Sequence, residues 1–370
     1  MDTGKQSDGD FVASDSTKVG NQTCVQCHKA EYDDYVLNVH NNTSRPISGH
    51  NLLEGDSALT TSYSFDSHLK IAVEKDDTSA HQRVYVDGEQ MLSRKFDVAF
   101  GSGKDAITYG SWKGNRLNQL QLTYFSRLKS WANSPGYVDK RVYFSRNINA
   151  RCIQCHGSYV EEKVVKNGDL IVSEELVKSS LVYGISCERC HGPAGKHVEF
   201  HLKNPAEKAA KYIAQYQKLS RKQKVDACSA CHSGSDKAVL KSTFAFKPGD
   251  DLDQYLDKNS ESVADPDVHG QQNQMLSASQ CYIKSNSLDC NTCHSVHKGK
   301  EIGLTVYSKK CMSCHATIKH SEKTLANAMV KTNCIDCHMP FKKSKVISFK
   351  LAGKKDVDPY LLRTHKIAVY

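Results

Sequence analysis

Seven Cys-x-x-Cys-His pentapeptides, an apolar fraction of only 39% over 370 residues, and one alternating stretch between the first two pentapeptides carry the fold prediction. The class they predict is mainly α and irregular, with a core built from seven covalently bound haems and a β-rich insert between the first and second motifs. C-x-x-C-H is the attachment signature of c-type haem. Each thiol adds across one porphyrin vinyl group, and the following His is delivered to the iron. Macrocycles supply the apolar surface that side chains otherwise provide, so the low apolar fraction is no sign of disorder.

The thiols are Cys24 and Cys27, Cys152 and Cys155, Cys187 and Cys190, Cys228 and Cys231, Cys290 and Cys293, Cys311 and Cys314, and Cys334 and Cys337. The iron-binding histidines that follow them are His28, His156, His191, His232, His294, His315 and His338. At this Cys and His content chance would give about 0.03 such motifs in the whole chain. Structural zinc takes four ligands from paired clusters and leaves a His after every pair unexplained. A disulfide scaffold has no use for that His. The cofactor predicted is therefore seven covalently attached haem c groups, each with one iron.

In chain order, residues 1–20 are polar and read as a flexible tail or linker, and 21–49 as a first haem segment with a short helix over Ala30 to Leu37. Residues 50–148 form the β-rich insert. Alternation in Lys70-Ile-Ala-Val-Glu and Gln82-Arg-Val-Tyr-Val, the Asp87-Gly88 turn and the run from Arg116 to Phe125 predict antiparallel strands. Residues 149–370 form a six-haem domain with a C-terminal arm. There Asn204-Pro205 predicts a helix start running to about Leu219, and Ser220 caps a further helix leading into Cys228. Asp250 to Asp257 and Gln271 to Ser279 also read as helical.

Of seventeen histidines, ten lie outside the motifs: His40, His50, His68, His81, His197, His201, His269, His297, His320 and His365. Ten candidates for seven irons suffice for bis-histidine ligation throughout. His297 is too close to His294 to share its iron and is placed to reach a neighbouring haem; His197 stands in the same relation to His191. His201, one turn on, shares a face with His197, so one of the two is a candidate propionate partner. His81, beside the Asp-Gly turn, reads as exposed, and His50 and His68 compete for one position. Cys281 is the unpaired cysteine; it reads as a thiol packed against haem, with a thiolate ligand as the alternative.

Cys187-Glu-Arg-Cys-His-Gly-Pro-Ala-Gly-Lys-His197-Val, Ser279-Gln-Cys281-Tyr with Leu288-Asp-Cys290-Asn-Thr-Cys-His-Ser-Val-His297, Cys334-Ile-Asp-Cys-His-Met-Pro340 and Thr364-His365-Lys-Ile are blocks with a common resemblance. So is the segment Val98 to Tyr137, with Gly101-Ser-Gly and Trp131-Ala-Asn-Ser-Pro-Gly-Tyr. At these residues the chain resembles the multihaem cytochromes of the c-554/c-prime type, a group often fused to tetratricopeptide repeats. Those repeats are absent here, and Ser295-Val296 replaces the usual Asp-Pro. The resemblance implies that His197, His297 and His365 are distal iron ligands. It extends the same role to His40, His269 and His320, and to His68 ahead of His50.

The formal charge is +9. Seven haems carry two propionates each, which adds up to about −14 and brings the holoprotein to about −5. Lys and Arg are thus read as a solvated face and propionate partners, not as a nucleic-acid footprint. Covalent haem attachment and cysteine richness predict a periplasmic, extracellular or cell-surface protein. No signal peptide is visible, the polar tail suits a linker behind a lipid anchor although no lipidated Cys precedes it, and no transmembrane run exists. The expected activity is electron transfer through closely packed, mostly bis-His haems, in respiratory or extracellular electron flow, with redox proteins as donor and acceptor. The alternative is a multihaem oxidoreductase acting on nitrite, hydroxylamine or a sulfur oxyanion at one five-coordinate iron. Self-assembly through axial ligation across a subunit boundary, with His40 or His365 as donor, is a third reading.

Overall fold

The computed structural model describes residues 18–47, 52, 62–137, 141–167, 171–260, 265–299, 303–317, 319–325, 328–354 and 356–370. Most of the predicted N-terminal tail, and His50, lie outside them. The chain divides into two compact units, one of Val39–Ile185 with Lys345–Tyr360, the other of residues up to Asn38 with Ser186–Ser344 and Leu361–Tyr370. The expected boundaries lay elsewhere, at 49/50 and 148/149. The second motif falls with the β-strands, and the other six motifs fall together.

The sheet unit is antiparallel. Ser62–Ser64, Leu69–Lys75, Ala80–Val86 and Glu89–Lys95 form a four-stranded sheet in sequence order. Asp87 and Gly88 make its tight turn, both with positive φ (49° and 87°), the conformation that a two-residue hairpin matched to strand twist requires. A second sheet runs in the order Ser44–Pro46, Val98–Phe100, Ala106–Lys113, Arg116–Gln119, Asn147–Ile148, and Leu122–Phe125 pairs with both Ala106–Lys113 and Ser130–Asn133. The predicted run from Arg116 to Phe125 is thus two strands, broken at Leu120-Gln121. Between the sheets lie Trp131, Tyr109, Phe96 and Ile71, all nearly inaccessible, with Phe96 edge-on to Tyr109 at 4.7 Å. Buried Gln82 ties one sheet to the other. Its amide donates to the Leu122 carbonyl (3.0 Å) and accepts from the Leu122 N–H (3.1 Å), so neither polar end is left unpaired. The hairpin tip at 345–360 adds Phe349 and Tyr360, whose rings stand 5.0 and 5.5 Å from Phe125.

In the motif unit helices are short, and three of the predicted ones are trimmed or shifted. Ala30 to Leu37 becomes Lys29–Tyr35, Gln271 to Ser279 becomes Gln272–Ser277, and Asp250 to Asp257 keeps only a 3-10 turn at Leu252–Gln254. Arg221–His232 starts as expected, on a capping box in which Ser220 and Gln223 exchange side-chain and backbone hydrogen bonds. The helix expected from Asn204 to Leu219 does not form. Asn204 ends the Gly195–Lys203 helix instead, its N–H and its side-chain amide both donating to the Phe200 carbonyl (2.9 and 2.8 Å), and Pro205 follows as a stop. Two hairpins were not foreseen: Glu162–Asn167 with Ile171–Leu176, and Phe341–Phe349 with Asp358–Arg363.

Candidate haem sites

Each attachment motif sits on or beside one turn of helix, which holds two cysteines three residues apart on one face with the His next to them. In the sheet unit that helix is Ala150–His156, capped by the Asn149 side chain accepting from the Cys152 N–H. In the motif unit, Asn21–Val25, Cys187–His191, Arg221–His232, Cys290–Cys293, Leu304–Met312 and Ile335–His338 serve the other six. The cysteines are partly or fully exposed, and none of the fifteen is in a disulfide.

Two metal–nitrogen bonds of about 2 Å plus two ring radii of about 1 Å place imidazole centroids on opposite sides of one iron roughly 6 Å apart. Four motif histidines face another histidine at that separation. His28 and His197 are 6.4 Å apart, His191 and His297 5.8 Å, His294 and His365 6.2 Å, and His338 and His320 6.0 Å. These rings fit axial ligation of an iron between them. Backbone carbonyls fix several: Nδ1 of His197 lies 2.8 Å from the Lys211 oxygen, Nδ1 of His338 2.8 Å from that of Ala368, and Nδ1 of His191 3.4 Å from that of Ala214. An N–H donated there leaves the Nε2 lone pair for a metal. Burial lowers the pKa of His191, His197 and His269, and so favours the neutral, ligating form.

Two further candidates lie beside the remaining motifs. The Thr43 hydroxyl bridges the carbonyls of His40 and His156, both at 3.1 Å. His269 lies in a loop that packs on the residues following His232: Gln274 donates to the Ser233 carbonyl (2.6 Å), and Gln271 donates to Asp236 (2.9 Å). His68, expected on an iron, is placed differently. It lies at the end of the sheet, 71% exposed, with Nδ1 on the Asp87 carboxylate. His81 faces Asp76 at 3.1 Å and is not the exposed residue expected. His201 stands 4.6 Å from His197, its Nε2 buried without a hydrogen-bond partner. Cys281 is half-buried and close enough to Cys293 and Cys311 to disfavour their thiolates.

The motifs also meet one another. The Asn21–Val25 helix packs on Cys187–His191, Arg221–His232 on Cys290–Cys293, and Leu304–Met312 on both Cys290–Cys293 and Ile335–His338. At three of these contacts the first cysteines of two motifs interact: Cys24 with Cys187, Cys228 with Cys290, and Cys311 with Cys334. Cys190 and Cys231 are near enough to interact electrostatically, and burial pushes the Cys190 thiol up to about 11. Tyr216 stands edge-on to His191 at 5.8 Å, and Tyr307 to His294 at 5.7 Å. No sequence signal marked the carbonyls of Lys211, Ala214 and Ala368, because a backbone acceptor carries no side-chain identity.

The fold and this set of cysteines and histidines define a multihaem c-type cytochrome, a protein that binds haem c with iron through thioether bonds. Within it, residues 109–192 match the family described as cytochrome c554 and c-prime. The chain is 26% identical over 196 residues to the multiheme cytochrome MtrA of Shewanella baltica (strain OS185), a match spanning 49% of this chain and 56% of that protein. The fold is similar to that of the outer cell wall cytochrome OcwA, with a TM-score of 0.54 at 14% identity, covering 95% of this chain and 79% of that one. Among the described residues no helix is long and apolar enough to cross a membrane.

Proposed function

We propose that this chain is a seven-haem electron-transfer cytochrome working outside the cytoplasm, in the periplasm or at the cell surface, between a redox donor and a redox acceptor. The observation that carries the reading is the set of four imidazole pairs at 5.8 to 6.4 Å. On this reading His28 and His197 hold the first haem, His191 and His297 the third, His294 and His365 the fifth, and His338 and His320 the seventh, with His40 and His269 serving the second and fourth. When bound, haem supplies an iron that cycles between ferrous and ferric states. Paired imidazoles would fill both axial positions of an iron held between them and so would exclude substrate from those sites. The meetings of Cys24 with Cys187, Cys190 with Cys231, Cys228 with Cys290 and Cys311 with Cys334, and the packing of Leu304–Met312 on Cys290–Cys293, join six attachment sites in the order first, third, fourth, fifth, sixth, seventh. That contiguity supports a conductor over a set of isolated centres. The names of the relatives, a multiheme cytochrome and an outer cell wall cytochrome, agree with it.

Low-temperature EPR of the oxidised holoprotein tests the assignment. The His365→Ala variant converts one low-spin haem to high spin, leaves the haem count at seven and leaves His68→Ala as a silent control. Loss of low-spin signal in His68→Ala, or none in His365→Ala, would refute this ligand set.

A further inference from the structure

Glu188, the first residue between the two cysteines of the third motif, sends its carboxylate off its own helix to collect backbone donors from elsewhere. One oxygen accepts from the N–H groups of Val19 and Ala194 and the other from Gly20, all at 3.0 Å. Gly20 precedes the Asn21–Val25 helix that carries Cys24, and Ala194 precedes the Gly195–Lys203 helix that carries His197. N–H groups at helix starts have no partner within the helix, and a carboxylate has enough lone pairs to serve several at once. The exchange is returned by Asn21, whose side chain accepts from the Cys187 N–H at 3.0 Å, at the start of the Cys187–His191 helix. One side chain thus joins the first attachment motif, the histidine that faces His28 at 6.4 Å, and the third motif. Its carboxylate also lies close enough to the Cys24 and Cys187 thiols to disfavour their thiolates. The neighbouring Arg189 is directed to Thr243, donating to its carbonyl and its hydroxyl.

We propose that Glu188 is a positioning residue for electron transfer: it seats His197 opposite His28, fixes the first haem against the third, and by its negative charge lowers the reduction potentials of those two haems. The proposal rests on the seven-haem reading above. Ferric haem carries one more positive charge than ferrous haem, so a fixed anion close to the macrocycle stabilises the oxidised form. A shortened arm frees the start of the Gly195–Lys203 helix and with it the distance between His28 and His197.

The test is a potentiometric titration of the holoprotein followed by low-temperature EPR, beside a pyridine haemochrome count. Signals that change in His197→Ala and His297→Ala mark the first and third haems. Glu188→Gln keeps the length of the side chain, removes the charge, and raises the potentials of the two marked haems while the others stay. Asn21→Ala breaks the neutral arm of the exchange and moves neither potential. Glu199→Gln is the charge control: this exposed carboxylate pairs with Lys203 on the helix that carries His197, and its loss is silent. Glu188→Asp keeps the charge one methylene short of its donors, so a high-spin fraction appears at the first haem while the third stays low-spin. That variant tests the positioning even where Glu188→Gln does not accumulate. No shift in Glu188→Gln, a shift shared by all the haems, or an equal shift in Asn21→Ala or Glu199→Gln overturns the role of the charge. A fully low-spin first haem in Glu188→Asp overturns the positioning. A haem count below seven in the wild type, or no EPR change in His197→Ala, overturns the underlying reading instead.

Discussion

Of the twelve largest fully buried side chains among the described residues, eleven belong to the sheet unit and one, Leu256, to the motif unit. The sheet unit closes on Trp131, Tyr109, Phe96 and their neighbours, as any small β-protein does. In the motif unit the clearest cluster of its own is Ala230, Phe246, Leu252 and Leu256. Its longest helix, Arg221–His232, has twelve residues, a length that is marginal without tertiary support. The difference teaches what the cofactor does for each half. On the seven-haem reading, one unit is held by side chains and would carry one haem as a passenger on Ala150–His156, and the other would be held by the six haems of its motifs.

The largest effect follows from removing haem altogether. Both tryptophans, Trp112 and Trp131, lie in the sheet unit, so their fluorescence reports that unit alone. A chain expressed without haem attachment keeps a cooperative tryptophan transition, and its amides between Leu69 and Asn133 stay protected from exchange. The six motif helices of the other unit exchange faster by on the order of 10³, equivalent to about 4 kcal/mol. Equal protection in both halves of the haem-free chain would break the comparison.

A smaller effect comes from one core side chain in each half. Phe96→Ala removes a ring packed on Tyr109 and Trp131 and costs the tryptophan-reported transition about 3–5 kcal/mol, with the Soret spectrum unchanged. Leu256→Ala, from the four-residue cluster, leaves that transition untouched and costs haem-reported unfolding about 2 kcal/mol, the low end of the range. Reversed readouts would mean that the two halves do not unfold as separate units.

What could be read in advance divides along the same line. The Asp87-Gly88 turn and the alternation of Lys70 to Glu74 are local signals, and the strands formed there. The motifs are equally local. Pairing of His28 with His197 or His294 with His365 joins residues more than seventy positions apart, so spacing alone left ten candidates open; only His297, three residues from His294, and His197, six from His191, each excluded one iron. Asn204-Pro205 misled because Asn caps either end of a helix, and here it closes the preceding one. The hairpin through Phe341-Lys-Lys-Ser-Lys-Val was hidden by its lysines, which suit an edge strand as well as a solvated arm. His68 drew a ligand assignment from resemblance, and the Asp87 carboxylate that holds it came into reach only when the Asp-Gly hairpin folded.

The smallest predicted effect is a pH dependence confined to the sheet unit. Arg83 donates to Glu74 and Asp76 on the neighbouring strand and turn. Burial works against ionised Glu74, but hydrogen bonds from Arg83 and Tyr85 outweigh it and hold its pKa below the ordinary value of 4.5; the Arg83 hydrogen bond does the same for Asp76 below 3.8. Because both values are depressed on folding, the stabilisation is complete above the unfolded values and disappears as pH falls through the folded ones. His68 works in the opposite direction: its hydrogen bond to Asp87 raises its pKa above 6.5, so its contribution is complete below that value and fades as pH rises through the raised one. These groups are at the surface, where such pairs contribute little and salt screens them. In Arg83→Leu the midpoint of the tryptophan transition falls less steeply between pH 5 and about 3 than in the parent. In His68→Ala the shallow decline above about pH 6.5 is lost. Haem-reported unfolding shows neither change, because all six groups belong to the unit that side chains hold together. A haem signal that followed the Arg83 substitution would join the two halves energetically and end the contrast between them.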